Sequence, residues 1–520
     1  MPSMLLPDIV RLHATWLKDK PAVVTPRTTW SWQRLGDEID RTAAGLAAAG
    51  CDNGARVGIV MDNGAGMVVA ILGAMAAGAV AVPLNVSVSD DTLAVLLSDA
   101  GASAVIASPR HVGRLAEAGP HTSVLRLADG TADECGPGWQ SFAAWRDAQT
   151  AKAGWTPIAP DQPCSIIYSS GTTGRPKGIV HTHAARTDWA HALALALRYD
   201  SASRTLVTTG LYSNISWVSL LCTLLVGGTL VVRETFDAGD VLETIRRERT
   251  THTSMVPVQY QRLFDHAGFD DTDLRSMRSL MCCGSPLPAA LKNAMFARFP
   301  GGVIELYGTT EGAVTTLAPE AAAGREKSVG KPLPGGDLRI LDTKNSVLTD
   351  GTSGEIVVRN SAVMSGYWRN EDATADAFWT DRRGQAWLRT GDIGHLDADG
   401  FLYITDRKKD VIISGGQNIY PADLEAVLMG HPAVAECAVI GIPCETWGET
   451  PLGLVVPARG GQPDGADLLA WTNAQLGRQQ RLARIEFRAS LPRNANGKVL
   501  KRELRAAYSL AGEMEGVSDE

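Results

Sequence analysis

Between Tyr168 and Gly178 the chain reads YSSGTTGRPKG, small and hydroxyl-bearing residues around Gly171 and Gly174 that close on a cation, Lys177. Backbone N–H groups in a glycine-rich turn can converge on phosphate oxygens. Ser169, Ser170, Thr172 and Thr173 would add hydroxyl donors to such a cradle. The GxxxxGK[ST] pattern cannot be laid over this stretch, so it is not the loop of the P-loop enzymes. Taken alone, the segment could also be a glycine-rich surface turn.

Four further segments carry reactive side chains. Tyr307–Gly312, YGTTEG, ends a strand and offers an aromatic face, hydroxyls and one carboxylate. Thr390–Gly394, TGDIG, places Asp392 on a turn. Asp406–Pro421 reads DRKKDVIISGGQNIYP, and Pro492–Lys501 reads PRNANGKVLK. Each is weak by itself. Together, in this order and spacing and spanning essentially the whole chain, the five resemble the acyl-adenylate-forming superfamily, in its acyl- and aryl-CoA synthetase branch. Firefly-luciferase-like enzymes and peptide-synthetase adenylation domains belong to the same group.

The resemblance implies a role for each position. The loop Ser169, Ser170, Gly171, Thr172, Thr173, Gly174 and Lys177 would hold the β- and γ-phosphates of ATP. Tyr307 resembles the ring that stacks on adenine, with Gly308 beside it and Gly284, Ser285 and Pro286 lining the other side. Thr310 would meet the α-phosphate, and Glu311 would ligate Mg²⁺, a hard cation that takes oxygen ligands. Asp392 and Arg407 would hold the ribose. Lys498 resembles the adenylation lysine, although its type alone would also suit a solvated surface residue. A carboxylate attacking the α-phosphate brings two anions together, and a positioned ammonium stabilises the developing charge without acting as acid or base.

The same family then exposes the adenylate to a thiol by rotating its C-terminal domain about a hinge, which corresponds here to Lys409. Gly415 and Gly416 match positions where a side chain would block the pantetheine arm of coenzyme A. Trp447 resembles a CoA-contacting position, with a core tryptophan as the alternative. In the acyl pocket the sequence departs from the pattern, because Tyr212, Ser213 and Asn214 put a serine where many relatives carry a histidine gate. A smaller gate suits a bulky alicyclic, branched-aryl or fused-ring acid, with medium or long fatty acids and simple aromatic acids still open. The uncharged Ser213 argues against an α-amino acid, whose ammonium calls for an Asp. The implied function is an AMP-forming acid–CoA ligase using ATP, CoA and a small carboxylic acid. The alternative is an acyl-AMP ligase that loads a carrier protein, or another adenylate-using enzyme; no carrier domain is expected after Lys498.

The elements that must position these residues are legible in the patterning. Short β-rich runs such as Ser103–Ala107, Ser165–Tyr168, Thr205–Thr208, Thr253–Val256, Leu280–Cys283 and Val303–Leu306 alternate with helical stretches such as Ala184–Tyr199 and Asp237–Arg249. That alternation predicts an α/β fold with mostly parallel sheets covered on both faces. After about Pro332, strands joined by Gly/Asp turns predict an antiparallel β subdomain (about 332–405), and past Asp410 a compact α+β pattern returns. The expected division is an N-terminal AMP- and acyl-binding domain over 1–408 and a small mobile domain over 409–520.

Composition excludes other classes. The 520 residues carry 49 basic and 57 acidic side chains, net −8, with no long basic run, so no nucleic-acid partner is expected. The apolar stretch Met67–Val82 imitates a membrane span but is shorter than the ~20 residues one needs and ends at Pro83, so a buried helix feeding a strand is expected. Trp217–Val232 repeats that plan around Gly227-Gly228. The opening MPSMLLPDIVRLHATW has no basic n-region and is not expected to be a secretory leader. Eight sparse cysteines without a CxxC pair fit reduced thiols in a cytoplasmic protein. His395–Asp406 imitates an EF-hand loop but lacks the first acid, so a hairpin is expected; His181 and His183 lack a third ligand and read as polar residues beside the phosphate loop. A homodimer stays open as the assembly.

Overall fold

The protein is described by a computed structural model covering residues 4–115, 124–150, 157–169, 177–299, 302–414, 417–444, 446–458, 463–477, 480–493 and 499–514. Its contacts divide the chain into two compact units, 1–338 with 358–388 and 339–357 with 389–520.

The first unit is built on two large sheets. One has nine strands, with a parallel core in the order Val303–Thr309, Ser279–Cys282, His252–Met255, Arg204–Val207, Thr229–Val232, Pro21–Val24. Antiparallel strands close both its ends: Gly312–Leu317 and Lys331–Pro332 at one, Thr29–Ser31 at the other. The second has eight strands, parallel from Pro163–Ser169 through Val80–Pro83, Arg56–Val60, Ala102–Ala107 and Leu125–Ala128 to Gln140–Ser141. Lys177–Thr182 and Gly366–Tyr367 add antiparallel strands to its other edge.

One apolar cluster joins the two sheets. Val23, Val207 and Ile304 of the first and Ile59, Ala81 and Ile167 of the second pack with the helices Ala65–Ala76 and Asn214–Leu225. A helix buried on every side must be apolar on every side, which is why Met67–Val82 imitates a membrane span. The stretch folds as the helix Ala65–Ala76 followed by the strand Val80–Pro83. No helix among the described residues is long and apolar enough to cross a membrane. Trp217–Val232 follows the same plan, with Gly227 in the left-handed region (φ 70°) releasing the chain from helix into strand. The eight cysteines are free thiols.

The antiparallel segment appears as Asp337–Leu341, Gly354–Arg359, Phe378–Thr380, Ala386–Leu396 and Leu402–Arg407, with the short helix Glu371–Asp376 among them. The EF-hand imitation is a hairpin: Leu396 pairs with Leu402, and Asp397 Oδ1 accepts from the N–H groups of Asp399 and Phe401 instead of facing a cation.

In the second unit, a five-stranded sheet runs Gln417–Ile419, Ile412–Ser414, Gly448–Pro457, Val434–Cys444, with Arg484–Phe487 parallel to Gly448–Pro457. Leu424, Leu428 and Leu468 cover one face of this sheet, while Leu491 and Leu504 pack against Ile440 and Leu454 on the other. The contact division falls at Leu388/Arg389 rather than at 408/409, and Lys409 lies in a turn inside the second unit. Contact density and the pivot of a rotation are different properties, so the two boundaries need not coincide.

Candidate active site

Gly284, Tyr307 and Ser169 fall at or beyond the carboxyl ends of parallel-paired strand segments, where open α/β sheets hold their ligands. Cys282 pairs with Glu305, so Gly284, just past the end of one strand, and Tyr307, inside the next, lie two residues beyond the same parallel pair. Gly284 has φ 93°, which favours glycine, and a Cβ there would sit 3.0 Å from Ile215 Cδ1. Tyr307 is buried against the sheet while Gly308 is exposed.

Thr310 and Glu311 form the two-residue tip of the hairpin between Val303–Thr309 and Gly312–Leu317, with Thr309 paired to Gly312. The tip is tight: a Cβ on Gly308 would come within 2.9 Å of the Ala313 Cα and the Gly312 carbonyl oxygen. The strand thus continues past Leu306, where the sequence pattern ended it, and delivers both polar side chains at its turn.

Ser169 ends one strand, Lys177 opens its antiparallel return, and the two pair directly. Ser170, Gly171, Thr172, Thr173 and Gly174 lie outside the described residues. Lys177 Nζ sits 4.7 Å from the centroid of the Tyr367 ring, and the Tyr367 hydroxyl donates to Glu311 Oε1 at 2.8 Å. One tyrosine therefore ties the cation of the expected phosphate loop to the carboxylate of the hairpin tip. Its strand is laced to the loop's return strand through Ser365 N–H to the Val180 carbonyl (2.9 Å) and Trp368 N–H to the Gly178 carbonyl (2.7 Å). Burial, and then the negative charge of Glu311, push the Tyr367 hydroxyl above its ordinary range, so it stays a donor. Sequence reasoning missed Tyr367; the only signal is an SGYW run far from the other motifs.

Ser213 is the buried N-cap of the helix Asn214–Leu225, and its hydroxyl makes no capping bond. The Asn214 Oδ1 accepts from Arg186 Nη1 at 2.8 Å. Arg186 was also missed; it stands in the first turn of the helix His183–Ala196, whose N-cap Thr182 accepts from Ala185 N–H at 3.1 Å. His181, in the return strand Lys177–Thr182, and His183, which opens the next helix, are buried, and among the described residues no cluster of three ligand-type side chains accompanies them. Desolvation holds His183 down at about 4 and pushes His181 well below the ordinary imidazole range.

The second unit carries the other group. Asp392 sits within the strand Ala386–Leu396 and not on a turn as expected, because Thr390 Oγ1 bonds the Ile356 carbonyl at 2.9 Å and keeps the strand running through Gly391 (φ 70°). It pairs directly with Arg407, whose Nε lies 2.7 Å from Asp392 Oδ1, and it is only 2% exposed. The expected ribose pair is thus preformed. In the turn after Arg407, Arg505 donates to the carbonyls of Lys409 and Asp410 and pairs with the Asp410 carboxylate at 3.0 Å. Trp447 is 58% exposed, which removes the core-tryptophan alternative. Gly415, Gly416 and Lys498 lie outside the described residues. Arg493 and Val499 form an isolated bridge, and the helix Lys501–Met514 follows.

Known proteins match along the length of the chain. The family model "AMP-binding enzyme" covers residues 11–368, and "AMP-binding enzyme C-terminal domain" covers 423–498. The chain is 36% identical over 487 residues to a feruloyl-CoA synthase of Amycolatopsis sp, covering 92% of this chain and 94% of that one. It is 35% identical over 510 residues to a 2-succinylbenzoate–CoA ligase of Geobacillus kaustophilus, covering 96% and 97%. Among solved structures, an amide bond synthetase from Marinactinospora thermotolerans superposes with a TM-score of 0.86 at 29% identity over 97% of this chain and all of that one.

Proposed function

The chain belongs to the AMP-binding enzyme family, and from that premise we propose that it joins a carboxylic acid to coenzyme A through an acyl-AMP intermediate. In the first step an oxygen of the acid's carboxylate attacks the α-phosphorus of ATP, the bond to the β-phosphate oxygen breaks, and pyrophosphate leaves. In the second, the CoA sulfur attacks the acyl carbon, its proton passes to solvent, and AMP leaves.

The observation that carries this reading is the Lys177–Tyr367–Glu311 chain at the carboxyl ends of the parallel strands. One cation and one oriented carboxylate held together by a shared tyrosine would suit a nucleotide's phosphates, which supports the reading. Magnesium is held in such sites by one or two carboxylates plus substrate phosphates, and Glu311, fixed by Tyr367, fits that donor set. When bound with ATP, the ion neutralises phosphate charge. Thr310 then offers its hydroxyl to the α-phosphate, Tyr307 its ring to adenine, and Asp392, paired with Arg407, its carboxylate to the ribose hydroxyls. Lys498 supplies the ammonium for adenylation. A rotation about Lys409 exchanges it for the segment 414–418, whose Gly415 and Gly416 admit the pantetheine arm. Residues 1–408 and 409–520 would be the bodies that move.

The relatives leave the acid open. Ferulate carries one carboxylate and 2-succinylbenzoate two, so their names decide neither the size nor the charge of the acid. The amide bond synthetase keeps a second reading in view, in which acyl-AMP is delivered to another acceptor such as a carrier protein. Pyrophosphate release across a panel of acids, with products analysed using free CoA and using a carrier protein, tests both. Acyl-CoA formed only with CoA supports the ligase; thioester formed only on the carrier overturns it.

A further inference from the structure

Arg186 is completely buried and has no carboxylate within ion-pair distance among the described residues. Its partners are neutral. Nε donates to Ser165 Oγ at 3.3 Å, Nη1 donates to Asn214 Oδ1 at 2.8 Å, and Nη2 has no hydrogen-bond partner. The rings of Trp189 and Trp217 lie 5.1 and 4.7 Å from the guanidinium carbon. Ring faces attract a cation, but they leave its charge uncompensated. Arginines buried without an anion are rare because desolvating the charge is costly.

The surroundings make the deficit larger. Arg186 occupies the first turn of the 14-residue helix His183–Ala196, the end where a helix already carries partial positive charge. Its partner Asn214 is the first residue of the 12-residue helix Asn214–Leu225. Neither helix has an acidic residue in its first turn. Two positive helix ends and one guanidinium therefore meet, and among the described residues no carboxylate pairs with the guanidinium. Water could fill the vacant hydrogen bond at Nη2 but would supply no charge.

Position decides which anion belongs there. Ser165 lies four residues before Ser169 on one strand, which puts it about 13 Å from the start of the phosphate loop at ~3.3 Å per residue. Arg186, bonded to Ser165, therefore stands back along the strand from the turn expected to hold the β- and γ-phosphates. Yet the same helix turn that offers Asn214 also offers Ile215, which packs against the Gly284 wall of the nucleotide site. The buried guanidinium thus lies directly behind Asn214, one of the residues expected to line the acyl pocket, and the next residue of that helix, Ile215, borders Gly284.

We propose that the acid substrate is a dicarboxylic acid whose second, distal carboxylate is bound by Arg186, with Asn214 positioning the guanidinium. The inference rests on the ligase reading above and names the substrate class of that same site. The planar fork of arginine pairs with a carboxylate through two hydrogen bonds, and sites built on such a pair reject analogues that lack the polar group.

The test uses matched pairs of acids on the full-length enzyme, each a monocarboxylic acid and the same skeleton bearing a distal carboxylate, straight-chain and aryl. The readout is the ratio of kcat/KM values from ATP- and CoA-dependent pyrophosphate release. For the wild type we expect the diacid of at least one pair to be favoured 100-fold or more. Arg186→Met should reduce that ratio to below about 10, and Arg186→Lys, which keeps the charge but loses the fork, should fall between. Both acids are assayed on one sample, so a partly unfolded variant lowers both rates and leaves the ratio unmoved. A wild type that activates monoacids as well as or better than every diacid overturns the inference while leaving the ligase reading intact. A diacid preference that survives Arg186→Met overturns the assignment to Arg186. Failure to release pyrophosphate with any acid overturns the ligase reading and the inference with it.

Discussion

Replacing Tyr367 by Phe removes one hydroxyl and leaves the ring, which makes it a clean perturbation of the Glu311 carboxylate. The hydroxyl donates to Glu311 Oε1 at 2.8 Å, while the ring faces Lys177 Nζ at 4.7 Å. Phenylalanine keeps the second contact and loses the first. A hydrogen bond to a charged group contributes about 1.5–3 kcal/mol, and both residues are half-buried, so the lower end applies. That corresponds to roughly a tenfold change, at the low end of the ~10–100-fold effects seen when a metal ligand loses its outer partner. We therefore expect Tyr367→Phe to raise the Mg²⁺ concentration needed for half-maximal ATP–pyrophosphate exchange about tenfold, with the rate recovering at saturating Mg²⁺. Burial and the Glu311 charge both hold the hydroxyl protonated, so the wild-type Mg²⁺ requirement should show no tyrosine titration up to about pH 10. Glu311→Gln in parallel calibrates the full loss of the carboxylate. A Tyr367→Phe enzyme with an unchanged Mg²⁺ requirement, beside a Glu311→Gln enzyme with a raised one, would show that the tyrosine does not orient the ligand.

Three further outcomes are expected. Lys498→Ala should lower adenylate formation by 10²–10³, on the order of 3–4 kcal/mol of transition-state stabilisation, and spare thioester formation from presynthesised acyl-AMP; equal losses in both halves would assign Lys498 a structural role. Lys409→Pro fixes φ at the expected hinge, so quenched single turnovers should still yield acyl-AMP while acyl-CoA fails to form, in an enzyme whose Tm confirms folding; near-normal rates in both halves would sink the rotation. His183 and His252 are buried and held near 4 by desolvation, so the unfolded chain takes up protons below about pH 6.5 while the folded one does not. Stability should therefore fall as pH drops from 6.5 to 4, by on the order of 3 kcal/mol per histidine, and His252→Phe should flatten the Tm profile over that window if it folds.

The strand–helix alternation was legible because strands buried on both faces and helices packed between sheets leave strong local signals. The expected runs Ser103–Ala107 and Ser165–Tyr168 fall within the strands Ala102–Ala107 and Pro163–Ser169. The motifs expected to meet the nucleotide stand out for a different reason. Their chemistry is local: hydroxyls and glycines around a phosphate must sit on one short segment, and the resemblance turned five such segments into named roles. Asp392 shows where local reading stops. Its TGDIG run looks like a turn, yet a hydrogen bond from Thr390 to Ile356, distant in sequence, carries the strand through it.

By itself, then, the sequence determined the α/β class, the order of the motifs and the type of side chain each offers, since all of these depend on neighbours along the chain. Only the tertiary structure decided which of them touch. Tyr367 reaches Glu311 across 56 residues, and its strand lies antiparallel to the one opened by Lys177. Arg186 meets Asn214 across 28 residues, and among the described residues no carboxylate pairs with it. Periodicity reports how a side chain relates to its own helix or strand; it carries no information about a partner brought close by the sheet order. Charge balance around a buried group is a property of that closeness, so the guanidinium's lack of a carboxylate partner among the described residues could be seen only once the strands were in place.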